Sequence, residues 1–231
     1  MIIGGLQPVT LLDYPQKVAA IIFTSGCNMR CPFCYNPSLV LPDMIVKNKL
    51  LVESEVLDFL IRRKKYLDGV VITGGEPTIH ADLSSFCQKL KDIGYDIKLD
   101  TNGLRPEVIK ELIDGRLVDY IAMDIKGPAD MIEKFAGQPV DTEKIKVTIE
   151  LVKNSNLPYE FRSTVVSGFH RSEDIEKMAQ MIGGAKKYWL QNFMGTKGMV
   201  GQDFKGASFT ADQLKDYKKI VAQYVEDCSV R

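Results

Sequence analysis

The chain has no long apolar run and no excess of charge of either sign. Its 231 residues include 30 Lys and Arg against 30 Asp and Glu, so no overall positive field exists to attract a nucleic-acid backbone. No uninterrupted apolar stretch approaches the roughly 18 residues that a membrane-spanning helix requires. With 45% apolar and 26% charged residues, the composition is that of an ordinary globular protein with a sizeable core. We therefore expect neither a nucleic acid nor a membrane as a partner.

Histidine is scarce, which limits the metal sites that the chain can build. Only His80 and His170 are present, and neither belongs to a paired His or Cys motif. A zinc site completed by one of them, or a disulfide, is the ordinary alternative for clustered cysteines. The segment Met1 to Thr10 lacks the features of a signal peptide, which predicts a cytoplasmic protein whose thiols stay reduced. A disulfide is therefore disfavoured.

Three of the five cysteines stand close together in the sequence. Cys27, Cys31 and Cys34 follow an apolar, strand-like stretch with the spacing CxxxCxxC. Soft thiolates select zinc, copper(I) or an iron-sulfur cluster, and a closed zinc site needs four protein ligands where this run offers three. Three thiolates on a four-iron cluster leave one iron open to an outside ligand, whereas ferredoxin clusters use four cysteines. The spacing therefore favours a 4Fe-4S cluster held by these three residues.

The other two cysteines stand alone in the sequence. Cys87 falls in an amphipathic stretch, where we expect it to be buried as a small hydrophobic residue. Cys228 lies near the end of the chain, where we expect a frayed terminus. Neither is predicted to bind metal.

Short β-branched runs alternate with amphipathic stretches, which is typical of repeated βα units around a parallel sheet. The predicted strands are Val18 to Phe23, Val70 to Thr73, Asp96 to Leu99, Tyr120 to Met123, Glu160 to Val165 and Tyr188 to Leu190. The predicted helices are Ser54 to Tyr66, Asp82 to Ile93, Pro106 to Asp114, Thr142 to Asn154, Ser172 to Ile182 and Thr210 to Tyr224. This order predicts an α/β fold, a partial TIM-type barrel of six parallel βα units. We expect a single domain over residues 1–231, with a core at about 16–192 and a C-terminal loop and helix at 193–231.

Polar and glycine-rich clusters follow four of the predicted strands. The cysteine run comes after the first strand, Gly74 to Pro77 after the second, Asp100 to Gly103 after the third and Asp124 to Lys126 after the fourth. In barrels of this kind the chemistry collects at the C-terminal ends of the strands. The sequence therefore predicts a site there.

With these motifs the chain resembles the radical S-adenosylmethionine (SAM) superfamily, and within it the glycyl-radical-enzyme activating proteins. Its opening segments, Ile3-Gly4-Gly5-Leu6-Gln7 and Leu12-Asp13-Tyr14-Pro15, are similar to those of the activating proteins of anaerobic ribonucleoside-triphosphate reductase. Tyr35 departs from the pattern, since many relatives carry histidine there. That side chain is not one of the three cysteine ligands.

The resemblance also implies a set of cofactor-binding residues. Gly74-Gly75-Glu76-Pro77 looks like the motif that receives the amino group of SAM, and the ordinary alternative is a glycine turn. Further SAM contacts are implied at Phe33, Tyr35, Thr101, Asn102, Asp124, Lys126, Arg162 and Gln191. In some relatives residues like Asp100, Thr101 and Asp124 also hold a monovalent cation; the alternative is that the two aspartates are strand-end caps. Arg162 inside a predicted strand needs a carboxylate partner, from SAM or Glu76, unless it points to solvent.

The activity implied by the resemblance is the reductive cleavage of SAM to a 5′-deoxyadenosyl radical, which generates a glycyl radical on a partner enzyme. No catalytic residues beyond the cluster and SAM are implied, because the cofactors supply the chemistry. A low-potential donor such as flavodoxin or ferredoxin would supply the electron. Two alternatives stay open: a radical SAM enzyme acting on a small molecule or peptide, and a non-catalytic iron-sulfur electron-transfer protein.

Overall fold

The computed structural model describes residues 1–195 and 198–231, and these form two compact units. The first unit comprises Met1–Asn28, Ser38–Thr101 and Arg105–Ile121. The second comprises Met29–Pro37, Asn102–Leu104 and Ala122–Arg231. That the whole chain acts as one domain stays a prediction.

The first unit is built on four neighbouring strands in chain order: β1 (Ile3–Thr10), β2 (Ala19–Thr24), β3 (Gly69–Gly74) and β4 (Asp96–Thr101). β1 runs antiparallel to β2, whereas β2, β3 and β4 are parallel. The register places Ile21 beside Val71 and Val71 beside Lys98, so these three side chains share one face of the sheet. That face therefore carries a buried lysine among apolar residues.

The second unit carries three parallel strands, β6 (Tyr159–Val165), β7 (Tyr188–Asn192) and β8 (Cys228–Val230). The strand β5 (Tyr120–Asp124) has its first two residues in the first unit and its last three in the second. The chain thus has an α/β fold with parallel strands in an open sheet.

The helices lie in the connections between these strands. In chain order they are α1 (Pro37–Val40), α2 (Pro42–Ile45), α3 (Glu53–Arg63), α4 (Leu83–Ile93), α5 (Pro106–Asp114), α6 (Ile132–Ala136), α7 (Thr142–Lys153), α8 (Ser172–Met181) and α9 (Ala211–Val221). On α4 the apolar spacing buries Leu83, Phe86, Cys87 and Leu90, which confirms the predicted burial of Cys87. No helix within the described ranges 1–195 and 198–231 has both the length and the apolar character needed to cross a membrane.

All six predicted strands are present with ends shifted by at most two residues, but two further strands were missed. β1 contains Gly4, Gly5 and Pro8, which are poor strand formers, and it tolerates them because it is an edge strand with irregular register. β8 comprises three residues near the end of the chain. The prediction of a frayed terminus there is wrong: Cys228 is 4% exposed and lies beside Tyr188 of the neighbouring strand.

Candidate functional site

In the first unit, the start of the cysteine loop is tied to the glycine loop that follows β3. The backbone N–H of Gly75 donates to the carbonyl of Thr24, and that of Glu76 donates to the carbonyl of Gly26, each over 2.8 Å. A Cβ atom on Gly75 would lie only 1.9 Å from the carbonyl oxygen of Gly26. The glycine is therefore required for the close approach of two backbones, one residue before Cys27.

The carboxylate of Glu76 points inward and holds two loops together. It is 1% exposed, and its Oε1 accepts hydrogen bonds from the Thr78 hydroxyl at 2.6 Å and the Thr101 hydroxyl at 2.7 Å. The Thr78 N–H adds a third bond of 3.2 Å. Since Thr101 ends β4, the carboxylate fastens the glycine loop to the end of the next strand. The predicted site residues Glu76 and Thr101 are thus brought together.

Asp100 also lies at the end of β4 and is paired within the same strand. Its Oδ1 is 2.7 Å from the ammonium of Lys98, a residue that is 1% exposed. The sequence prediction did not include Lys98. The available signal was a lysine between two apolar residues of a predicted strand, Ile97 and Leu99.

In the second unit, the rest of the cysteine loop is fixed by backbone contacts on several sides. The N–H of Cys34 donates to the carbonyl of Cys31 over 3.0 Å, which forms a tight turn. The carbonyl of Cys34 accepts from Val200 at 3.1 Å, and the N–H of Arg30 donates to Ala136 at 2.7 Å. These bonds preset the spacing between two of the predicted ligands.

Burial raises the pKa of the Cys31 thiol to about 11, against the opposing charge of Lys126. In the metal-free chain this thiol therefore stays protonated, and binding of iron would displace the proton. The predicted ligands thus supply soft sulfur donors that fit an iron-sulfur cluster. No group of three or more His, Cys, Asp or Glu side chains suited to a single metal ion occurs within residues 1–195 and 198–231.

Phe33, which lies between Cys31 and Cys34, packs into a cluster of aromatic rings. Its ring centroid lies 5.8 Å from Phe169, 5.9 Å from His170 and 6.2 Å from Phe204. At 3% exposure, Phe33 anchors the cysteine loop by packing.

His170 is neutral and fully engaged in this cluster. Its Nδ1 accepts from the N–H of Val166 at 3.1 Å, and its Nε2 lies 3.3 Å from the carbonyl of Lys126. Burial lowers its pKa to about 4. Because both ring nitrogens face backbone groups, His170 is unsuited to complete a zinc site and instead positions the backbone of Lys126.

Asp124, Lys126 and Arg162 form a charged triad where β5 ends, beside the middle of β6. Arg162 Nε donates to Asp124 Oδ1 at 2.9 Å, and Lys126 Nζ donates to Asp124 Oδ2 at 3.0 Å. Burial opposes ionisation of Asp124, but the two cations outweigh it and hold the pKa of the carboxyl well below its usual range. Burial likewise opposes the charge of Lys126, but Asp124 and then Cys31 raise the pKa of its ammonium. The carboxylate expected for Arg162 was that of SAM or Glu76, and the structure places Asp124 beside it.

Tyr35 and Gln191, distant in sequence, line one cavity of the second unit. This cavity of about 520 Å³ is lined by Tyr35, Thr164, Gln191, Asn192, Met194 and Arg231. The Tyr35 hydroxyl accepts from the N–H of Met194 at 2.8 Å, and its ring stacks on Phe193 at 5.4 Å. The tyrosine is therefore held in a fixed orientation at the cavity wall.

Asn102 stabilises its own turn in the second unit. Its Oδ1 accepts from the N–H of Leu104 at 3.1 Å, and the Gly103 carbonyl accepts from the Thr148 hydroxyl at 2.7 Å. These bonds fix the backbone after β4.

Comparisons with known proteins agree with these motifs. The radical SAM superfamily model matches residues 21–182. A protein of Methanocaldococcus jannaschii that carries the provisional name of glycyl-radical enzyme activating enzyme is 34% identical over 100% of this chain and 95% of its own length. The pyruvate formate-lyase-activating enzyme of Clostridium pasteurianum is 30% identical over 54% of this chain and 52% of its own.

A solved structure with the same fold carries bound SAM. Streptococcus suis SuiB bound to S-adenosylmethionine aligns with a TM-score of 0.66 and 13% identity, over 91% of this chain and 51% of its own. The likeness confirms the predicted α/β fold, with parallel strands in an open sheet. In radical SAM structures such a sheet forms a partial TIM-type barrel. Since the family model covers well over half of the chain and the archaeal relative matches along all of it, the chain belongs to the radical SAM superfamily, whose enzymes use a 4Fe-4S cluster and SAM.

Proposed function

We propose that the chain is a glycyl-radical-enzyme activating enzyme. The observation that carries the proposal is the 34% identity to the archaeal relative of that name, which spans both chains almost completely. When bound and reduced by one electron, the cluster and SAM supply a 5′-deoxyadenosyl radical, which in an activating enzyme abstracts hydrogen from a backbone glycine of the partner. The residues of this chain bind and orient these groups and exclude competing reactions.

Cys27, Cys31 and Cys34 are the proposed cluster ligands. Within the second unit, Cys31 and Cys34 sit in a turn fixed by backbone bonds, close enough to Lys126 for its charge to act on the Cys31 thiol. The charge of Lys126 favours the ionised form of Cys31, which is the form that binds iron, and opposes the burial that raises its pKa.

The glycine loop Gly74 to Pro77 is the proposed site for the amino group of SAM. Because the Glu76 carboxylate is occupied by three hydrogen bonds from Thr78 and Thr101, the loop would contact SAM through its backbone, held in place by that carboxylate. Gly75 lets this loop pack directly against the backbone of Gly26, which fixes the position of the loop.

The charged triad is the proposed site for the SAM carboxylate. Lys126 and Arg162 contribute two positive charges against the single negative charge of Asp124, which leaves a net charge of +1. A carboxylate anion would neutralise that charge, and guanidinium and ammonium groups are the usual hydrogen-bond donors to carboxylates.

The remaining predicted contacts are proposed with narrower roles. Tyr35 and Gln191 would contact the adenosyl part of SAM, since both line the cavity in the second unit. Thr101, Asn102 and Phe33 would shape the site through the bonds and packing described above.

The proposed partner is an anaerobic ribonucleoside-triphosphate reductase, with flavodoxin or ferredoxin as electron donor and the cytoplasm as location. The similarity of the two opening segments supports this choice of partner. Gly4, in the first of these segments, is needed for packing, because a Cβ at this position would lie 2.3 Å from Ser25 Oγ.

The first experiment is anaerobic reconstitution with iron and sulfide, reduction with dithionite in the presence of SAM, and quantitation of 5′-deoxyadenosine. We expect cleavage in the wild type, loss in Cys31→Ala and retention in Cys87→Ala, a matched cysteine in the core of α4. No cleavage by a wild-type chain that binds about four irons would favour the non-catalytic iron-sulfur protein.

A second experiment tests the substrate. The reduced enzyme is mixed with an anaerobic ribonucleoside-triphosphate reductase and SAM, and the glycyl radical is measured by electron paramagnetic resonance. Its appearance on the reductase supports the proposal. Cleavage of SAM without a protein radical on this partner would contradict the proposed partner.

A further inference from the structure

Lys98 is a charged residue in the interior of the first unit. It lies in β4 between two fully buried apolar residues, Ile97 and Leu99, and is itself 1% exposed. A buried ammonium is costly unless it is paired and hydrogen-bonded. Its presence in a sheet core therefore calls for a reason beyond packing.

The surroundings of Lys98 direct its ammonium toward the end of the strand. In the sheet it lies beside Val71, a member of a buried apolar cluster with Tyr14, Ala19, Ile21 and Tyr120. Its Nζ lies 5.8 Å from the Tyr120 ring, a cation-π contact, and reaches Asp100 Oδ1 at 2.7 Å. The aliphatic stem is thus packed in the core, which fixes the position of the charge.

The residues predicted to hold a monovalent cation are already engaged. Asp100 is paired with Lys98, the Thr101 hydroxyl donates to Glu76, and Asp124 is paired with Arg162 and Lys126. A hard cation needs several oxygen ligands, and it would meet the ammonium of Lys98 at Asp100. These residues do not fit an added metal ion at Asp100.

We propose that the Lys98 ammonium is the built-in counter-ion of Asp100 and takes the place of a monovalent cation in the SAM site. The inference rests on the assignment of Asp100 to that site, and it makes Lys98 a positioning residue. SAM binding by this enzyme then needs neither potassium nor sodium.

The test measures the dissociation constant for SAM by equilibrium dialysis of the reconstituted, oxidised enzyme, in potassium chloride and in tetramethylammonium chloride at equal ionic strength. For the wild type we expect less than a twofold difference. For Lys98→Met we expect at least tenfold weaker binding in tetramethylammonium chloride and recovery in potassium chloride. The matched control is Lys17→Met, which removes the partly exposed pair with Asp96 on the same strand and should behave as the wild type.

A wild type whose SAM binding weakens tenfold without potassium would overturn the inference, as would a Lys98→Met variant that binds SAM as tightly as the wild type in tetramethylammonium chloride. Circular dichroism checks that the variant folds. If it does not, the wild-type comparison and Lys98→Arg, which keeps the charge and should stay independent of potassium, decide the question. The measurement needs no partner protein, so a failed glycyl-radical assay leaves its result intact.

Discussion

Arg162 donates a hydrogen bond of 2.9 Å from its Nε to Oδ1 of Asp124. The two residues lie on different strands, and Lys126 binds the other oxygen of the same carboxylate at 3.0 Å. Arg162, which lies inside β6, therefore has its carboxylate partner at the end of β5. One carboxylate, that of Asp124, thus links Arg162 and Lys126.

Replacing Asp124 with Asn should destabilise the protein by about 2 kcal/mol, since Arg162 and Lys126 then lose the carboxylate that both contact in a partly buried site. Urea unfolding measures this. The control is Asp130→Asn, which breaks an exposed pair with Lys177 and should change the stability far less. Equal effects of the two substitutions would contradict the role of Asp124.

The same pair makes a prediction about pH. Because the folded pKa of Asp124 lies below its ordinary value of 3.8, its stabilising contribution is present above that value and is lost as the pH falls below it. The difference in unfolding free energy between the wild type and Asp124→Asn should therefore shrink at acid pH. A difference that stays constant from pH 6 down to the onset of acid unfolding would contradict the ion pair.

His170 should make the protein less stable in mild acid. Its pKa is lowered from 6.5 to about 4, so the unfolded chain binds a proton that the folded chain rejects. Between pH 7 and pH 5 this contributes a loss of about 2 kcal/mol. The unfolding free energy of His170→Gln, measured at both pH values, should fall less than that of the wild type, and an equal fall would contradict the lowered pKa of His170.

Gly75→Ala should disturb the glycine loop, because its Cβ would overlap the carbonyl of Gly26 at 1.9 Å. We expect a loss of about 1 to 3 kcal/mol in unfolding free energy and weaker SAM binding, measured on the reconstituted protein. Gly5→Ala is the matched control, because its nearest atom, in Phe23, would be 3.6 Å away. Tight SAM binding by Gly75→Ala would show that the close approach is not needed.

Cys228 should resist alkylation in the folded chain. Burial raises the pKa of its thiol to about 11, and that of Cys87 to about 12. Mass spectrometry after brief treatment with iodoacetamide at pH 8 should find both thiols unmodified, and both modified after unfolding. Fast labelling of Cys228 in the folded chain would restore the picture of a frayed terminus.

Local patterns were enough to predict six strands, the helices α3, α4, α5, α7, α8 and α9 and the loop motifs, because apolar periodicity and glycine act over a few residues. The short helices α1, α2 and α6 were not predicted. The same reasoning missed β1 and β8. In β1, glycine and proline contradict strand propensity, and an edge position in the sheet overrides that preference. In β8, three residues are too few for a pattern, and pairing with β7 determines the structure.

The sequence by itself determined the cysteine spacing, the glycine loop and the membership of the radical SAM superfamily, because these depend on residue types at short separations. The tertiary structure decided which charges meet. Arg162 and Asp124 are 38 residues apart, and Glu76 and Thr101 are 25 apart, so no local pattern pairs them. It also decided that Lys98 is buried beside Asp100, since burial depends on strands that are brought together only when the chain folds.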